Sequence, residues 1–261
     1  MGVRGLGLVL YGGEGMGKTG LSLQFSHLGP LKCLSIGETG YEDLNTIGEV
    51  PDNCTNVVVD SWDEMIKETR NLEEQVLVLD GLAGVQKMLF NHVCRTMYDN
   101  NWTDFTSYWK GQRVDSPAFL SEYLNMLDNL RAEGKHIILI GHMVTTQEPN
   151  TLGADYLSHV IALDDGDKGG LRSCVKQWAQ AILFLNIDIS ITRATETARN
   201  KVVMEGKAKD DDNRLIYTTK APGHSAKNRL QLPPIISMGA SANEAFVNLW
   251  KVMPKVYKDL M

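Results

Sequence analysis

Residues 12 to 19 read GGEGMGKT, a glycine followed by four residues and then Gly17, Lys18 and Thr19. This is the Walker A spacing. Glycines let the backbone close around an anion with its N–H groups pointing inward, at the start of a helix whose dipole adds to the attraction. Such a cradle takes phosphate, so the expected nucleotide-binding residues are Gly12, Gly13, Glu14, Gly15, Met16, Gly17, Lys18, Thr19 and Gly20. Lys18 would reach the β- and γ-phosphates, and the Thr19 hydroxyl would take one coordination position of Mg²⁺. ATP and Mg²⁺ are the expected substrate and metal.

A phosphate loop also needs a carboxylate to support the metal through its water shell, usually at the end of a neighbouring buried strand. QVLVLD supplies one in Asp80, and VVVD supplies a competitor in Asp60, whose following SWDE reads instead as the start of a helix. Thr19 and Asp80 are therefore the expected metal-binding pair. Hydrolysis further needs a group that orients or deprotonates water. Glu38, in LSIGETG, follows a strand at the edge where α/β sheets bind ligands, and His142, after HIILIG, stands at another such strand tip.

These residues must be held by strands. Apolar runs rich in Val, Ile and Leu recur at residues 6–11, 31–36, 57–60, 76–80, 136–140 and 181–187, with helix-like stretches between several of them. Unbroken rather than alternating apolar strands indicate a sheet covered on both faces. The expected fold is α/β, a mostly parallel sheet flanked by helices. Ser61 to Glu64 reads as a capping box, and Ser116 before Pro117 as a helix cap. Near the end, Val202 to Glu205 and Leu215 to Thr219 read as short strands of an antiparallel hairpin around the turn-rich Asp210 to Asn213. Phe246, Leu249, Trp250 and Met253 form the apolar stripe of a helix over residues 243–253. One ATPase domain over residues 1–240, followed by a helical tail over 241–261, is the expected organisation.

The chain has 261 residues, 43% hydrophobic and 22% charged, which is ordinary for a globular protein. Charge-free apolar stretches such as residues 136–147 and 178–187 are about half of the roughly 20 residues that a membrane-spanning helix needs. No membrane association is expected. The four cysteines form no CxxC pair, which suits a reducing cytoplasm better than a zinc or disulfide framework. The net charge is -6, so no overall positive field draws nucleic acid, yet residues 193–230 hold nine Lys or Arg against five Asp or Glu. A local basic surface of that kind would bind a phosphate backbone in a salt-dependent way.

In order and spacing, GGEGMGKT, IGETG, VLVLDGLAGV and HIILIGHM resemble the RecA-like core of recombinases and replicative helicases. The resemblance implies that Glu38 activates water, that Asp80 is the Walker B carboxylate and that His142 senses the terminal phosphate. The segment TTKAPGHSAKNRLQLP is similar to the Lys-x-Arg finger of hexameric helicases. It is also similar to the late KNR segment of phage-encoded RecA-like ATPases of the single-strand annealing and recombination kind. This implies that Lys227 and Arg229 act on a neighbouring subunit's nucleotide. Two residues apart on a strand, they would point to the same side. The expectations that follow are a ring or filament of identical subunits acting on single-stranded DNA, with a single-strand binding protein as a further partner, in the cytoplasm of a phage host. The alternative is a nucleotide-switched accessory or loader protein with little turnover.

Overall fold

The apolar runs become neighbouring strands. The computed structural model describes residues 3–150, 153–166, 169–198 and 201–259, with the backbone alone for 188–198 and 201–212. Strands β1 (Gly7–Gly12), β2 (Leu31–Ser35), β3 (Cys54–Val58), β4 (Val76–Asp80) and β5 (His136–Glu148) pair in parallel, and β5 turns back antiparallel into β6 (Tyr156–Ile161). β7 (Ala181–Ala198) lies parallel to β1, and β8 (Lys201–Tyr217), β9 (Lys227–Asn228) and β10 (Ile235–Ser237) add antiparallel pairings. The order across the sheet is β10-β8-β7-β1-β5-β4-β2-β3. This is the expected α/β architecture, a mostly parallel sheet flanked by helices, with antiparallel strands towards the C-terminus.

Successive strand residues face opposite sides, and each side has its own helices. Val9, Tyr11, Leu77, Leu79, Ile137 and Leu139 join one apolar cluster. That cluster includes α3 (Trp62–Arg70), α4 (Leu82–Met97), α6 (Ser116–Ala132) and α7 (Leu171–Trp178). Leu8, Leu10, Val76, Val78, Ile138 and Ile140 join the other, covered by α1 (Lys18–Leu23) and α8 (Ala242–Lys251). With both faces covered, the central strands can be apolar throughout. α1 continues as a 3-10 segment, Gln24–Leu28, and α2 (Gly40–Thr46) follows β2. The chain is completed by α5 (Trp102–Thr106) and α9 (Lys255–Lys258).

The capping box at Ser61 forms: its hydroxyl accepts from the Glu64 amide, and the Glu64 carboxylate accepts from the Asp60 amide. Ser116 is not a cap. A π-helical turn, Gly111–Asp115, runs straight into α6, and the Ser116 hydroxyl donates to the Gly111 carbonyl at 2.7 Å. Pro117 is accommodated because it still stands in the first turn of α6, where its missing N–H matters least.

The hairpin also differs from the expected one. Asp210 to Asn213 do not form its turn; they lie within β8, where the register with β7 slips between Ile187 and Ile189. Ile187 pairs with Arg214 and Ile189 with Asp210, so the turn-prone residues are taken up as an irregularity in a long ladder. Cross-strand pairing along an 18-residue partner outweighs their local turn preference.

The C-terminal stripe docks on the chain's own core. Ser241 caps α8 by accepting from the Glu244 amide. Phe246, Leu249, Trp250 and Met253 are all buried, with Phe246 edge-on to Phe25 at 5.1 Å. This packing brings the N-terminal end of α8 against the helix that follows the phosphate loop.

Candidate functional site

β1 delivers the chain to the loop with all its residues buried, and Gly12 stands beside His142 of β5. Gly17 adopts a left-handed conformation with φ 81°, which lets the loop turn into α1 without the steric cost that a Cβ would bring. Lys18, 7% exposed, donates from Nζ to the Gly13 carbonyl at 2.6 Å and to Gly12 at 3.2 Å. Burial pulls its pKa below the ordinary lysine value, against the upward pull of Asp80, Glu38 and Glu14. The ammonium is thus a desolvated charge braced by two loop carbonyls, facing a cluster of acids.

Asp80 is the last residue of β4 and is 3% exposed. It accepts from the Thr19 hydroxyl at 2.7 Å. Burial raises its carboxyl above the usual range, an effect opposed first by the Thr19 bond. Gly81, next in the chain, has φ 117°. A Cβ there would stand 2.2 Å from the Ile36 carbonyl oxygen and 3.0 Å from Cγ of Glu38. This glycine therefore lets the β2 and β4 tips approach closely enough for Glu38 to sit over the site. Glu38 Oε1 lies 3.0 Å from His142 Nε2, with both side chains partly exposed. The ends of β2 and β4, the middle of β5 and the loop after β1 thus bring Glu38, Asp80 and His142 around Lys18 and Thr19. His142 is not at a strand tip as expected, because β5 runs on to Glu148 and pairs there with β6. All line one cleft of about 1260 Å³.

The residues present fit the groups they would hold. At Gly15, φ 70°, a Cβ would meet nothing within 4 Å, so the loop is open towards the cleft. No cluster of three or more His, Cys, Asp or Glu able to hold a metal occurs among the described residues. The protein's own contribution would be Thr19 and Asp80. That small oxygen set suits Mg²⁺, which keeps most of its waters and shares phosphate oxygens with its substrate.

The chain matches the family model described as AAA domain over residues 4–230. It belongs to that family. Nucleotide binding and hydrolysis are the activities of such ATPases, and the loop, the Thr19–Asp80 pair and Glu38 all lie within the matched residues. Among solved structures, a KaiC-like protein of the hyperthermophilic archaeon Pyrococcus horikoshii OT3 is 13% identical, with a TM-score of 0.41, over 92% of this chain and 88% of that one. No curated protein matches the chain. No helix among the described residues is long and apolar enough to cross a membrane.

The structure separates the two candidate metal carboxylates. β3, leading to Asp60, is the edge strand, and Asp60 is exposed and outside the cleft. Asp80 ends a strand buried between two others and touches Thr19.

The Lys-x-Arg pair is not brought to this site. β9 pairs with β7 at Ala181 and Ile182, level with Leu8 at the start of β1, whereas the phosphate loop follows its end. That is roughly 13 Å along the strands at 3.3 Å per residue. Nor do the two side chains share one role. Lys227 donates to the carbonyls of Lys176 and Gln177 at 2.5 and 2.9 Å, satisfying the C-terminal turn of α7, while Arg229 is exposed. β9 ends at Asn228, so strand alternation does not extend to Arg229. Burial lowers the Lys227 pKa to about 8. In this single chain the Lys227 ammonium is bound by carbonyls at the end of α7. Sequence reading also passed over Arg214, Met238 and Ala242, which close the cleft on the side away from Asp80.

The ionised Asp80 costs the nucleotide-free protein stability. Because its folded pKa is raised, the associated stability is fully present below the unfolded carboxylate pKa and lost as pH rises through the folded value. Asp80→Asn is therefore expected to melt higher than the parent at pH 7, by roughly 2–4 °C for each kcal/mol relieved, with the difference vanishing near pH 3. The same variant should lose the stabilisation that Mg²⁺ adds in the presence of ATP. Thermal melts at both pH values test this; a lower melting temperature at pH 7 would show that ionised Asp80 stabilises the free protein.

Proposed function

We propose that this chain is an ATP-binding and ATP-hydrolysing RecA-like protein that acts on single-stranded DNA in recombination or replication, as a homo-oligomer. The observation that carries the reading is the Glu38–His142 pair, 3.0 Å apart, facing the Lys18 loop in one cleft with the Thr19–Asp80 pair. Lys18 and the loop amides hold the triphosphate, and Glu38 takes a proton from the attacking water. His142 holds Glu38 through Oε1, which leaves Oε2 to accept that proton. Mg²⁺, when bound through Thr19 and Asp80, would neutralise charge on the phosphate oxygens.

For assembly, the support is the distance between Arg229 and its own phosphate loop. A guanidinium exposed at the opposite end of the strands is available to a neighbouring copy, and Arg229 is the finger so placed. For DNA, the support is the excess of basic residues over 193–230; the side chains of 193–212 lie outside the described ones. A second reading, a nucleotide-switched accessory protein with little turnover, is favoured by the same Glu38–His142 contact, which holds the water-activating acid engaged.

The decisive experiment is the ATPase rate against protein concentration, with and without single-stranded DNA, at two salt levels. A rate per subunit that rises with concentration, and rises further with DNA at low salt, is expected. An Arg229→Ala subunit mixed with a Lys18→Ala subunit should recover part of the activity that each lacks alone. A slow rate indifferent to concentration and DNA would replace the motor reading by the switch.

A further inference from the structure

Arg214 occupies a position that the nucleotide-binding loop makes meaningful. Ile216 of β8 is buried on the sheet face covered by α1 and α8. Two residues earlier on the same strand, Arg214 shares that face but lies beyond the core. There it comes to rest over the phosphate loop. A Cβ built on Gly17 would stand 3.6 Å from Arg214 Nη1 and 3.6 Å from the Met238 methyl group. The Met238 amide donates to the Arg214 carbonyl at 2.9 Å, and Ile187 pairs with Arg214 from the other side, so the backbone that aims the guanidinium is held on both edges.

Within the described residues no acceptor takes a hydrogen bond or ion pair from this guanidinium, although Glu14, Glu38 and Asp43 line the same cleft. In the sheet order, β8 and β4 lie on opposite sides of β1. The loop after β1 is therefore bordered by Asp80 on one flank and by Arg214 on the other.

We propose that Arg214 is a further substrate-contacting residue, binding the phosphate oxygens of the nucleotide held by its own chain. The inference rests on the reading of the cleft as an ATP site and adds to it a second cation on the flank opposite Asp80. A planar guanidinium offers two parallel N–H groups to a phosphate, whereas Lys18 acts as a point charge from within the loop. Unlike Arg229, it serves in cis, so its contribution does not depend on assembly.

The test is binding of a fluorescent ATP analogue, with ATP and inorganic pyrophosphate as competitors, to the parent, Arg214→Ala and Arg214→Lys. The parent must bind; if it does not, the reading of the cleft fails before Arg214 is reached. In Arg214→Ala both ATP and pyrophosphate are expected to bind roughly ten- to a hundred-fold more weakly, as for a lost charge-assisted pair. Arg214→Lys should recover part of that loss. Because Arg214 is exposed, the unliganded melt should be unchanged, and Arg214→Gln provides a second variant should Ala disturb the strand. Affinities within about two-fold of the parent would overturn the proposal. So would a loss for ATP with pyrophosphate unaffected, which would place Arg214 at the base or sugar. Activity of Arg214→Ala restored by mixing with Lys18→Ala would make the arginine a trans-acting group and overturn the cis assignment.

Discussion

Glu38→Gln is expected to lower ATP turnover by roughly 10²- to 10⁴-fold, the usual worth of a positioned general base, while ATP affinity stays within about three-fold of the parent. The amide keeps the size and shape of the carboxylate and can still meet His142 Nε2, at the 3.0 Å separation of the present pair. It cannot accept a proton from water. It also removes one negative charge from the group around Lys18, which includes Asp80 and Glu14, so triphosphate binding should not suffer. Single-turnover hydrolysis alongside equilibrium binding separates the two effects. Turnover within about three-fold of the parent would remove Glu38 from the mechanism and leave His142 without a partner to hold.

Lys18→Ala is expected to weaken ATP binding by roughly a hundred-fold or more. Two losses combine. The ammonium that would meet the β- and γ-phosphates disappears, and the carbonyls of Gly12 and Gly13 lose the donor that braces them. The unliganded protein should tolerate the change better than the complex does, because burial already works against the charged lysine. Calorimetric titration with ATP and Mg²⁺, compared with a melt of the free variant, is the check. An affinity close to that of the parent, with the fold intact, would mean that the glycine loop holds phosphate without its lysine.

Both expectations use residues legible in the sequence, but the two became legible in different ways. Lys18 and Thr19 follow from a local rule, since the glycine spacing and the helix start act within one stretch of backbone. Glu38 was placed at a strand tip by pattern alone, and only the structure joins it to His142, 104 residues away. The capping box at Ser61 was legible because its bonds span three and four residues. The turn at Asp210–Asn213 was misread because the partner strand, not the local propensity, determines what those residues do. The acceptors of Lys227 were out of reach of sequence for a similar reason: they lie about fifty residues earlier, at the end of α7.

The amino-acid order by itself determined the phosphate loop, the α/β class and the apolar stripe of the last long helix, because each arises from interactions within a few residues or from a simple periodicity. The sequence favoured Asp80 over Asp60, both of which end apolar runs, and the folded chain adds the reason. One follows an edge strand and the other sits beside Thr19. The folded chain alone carried Arg214 to the flank of Gly17 and left Arg229 at the opposite end of the strands. Those outcomes depend on which strands become neighbours, and neighbour choice is settled by burial across the whole sheet rather than by any short window of residues.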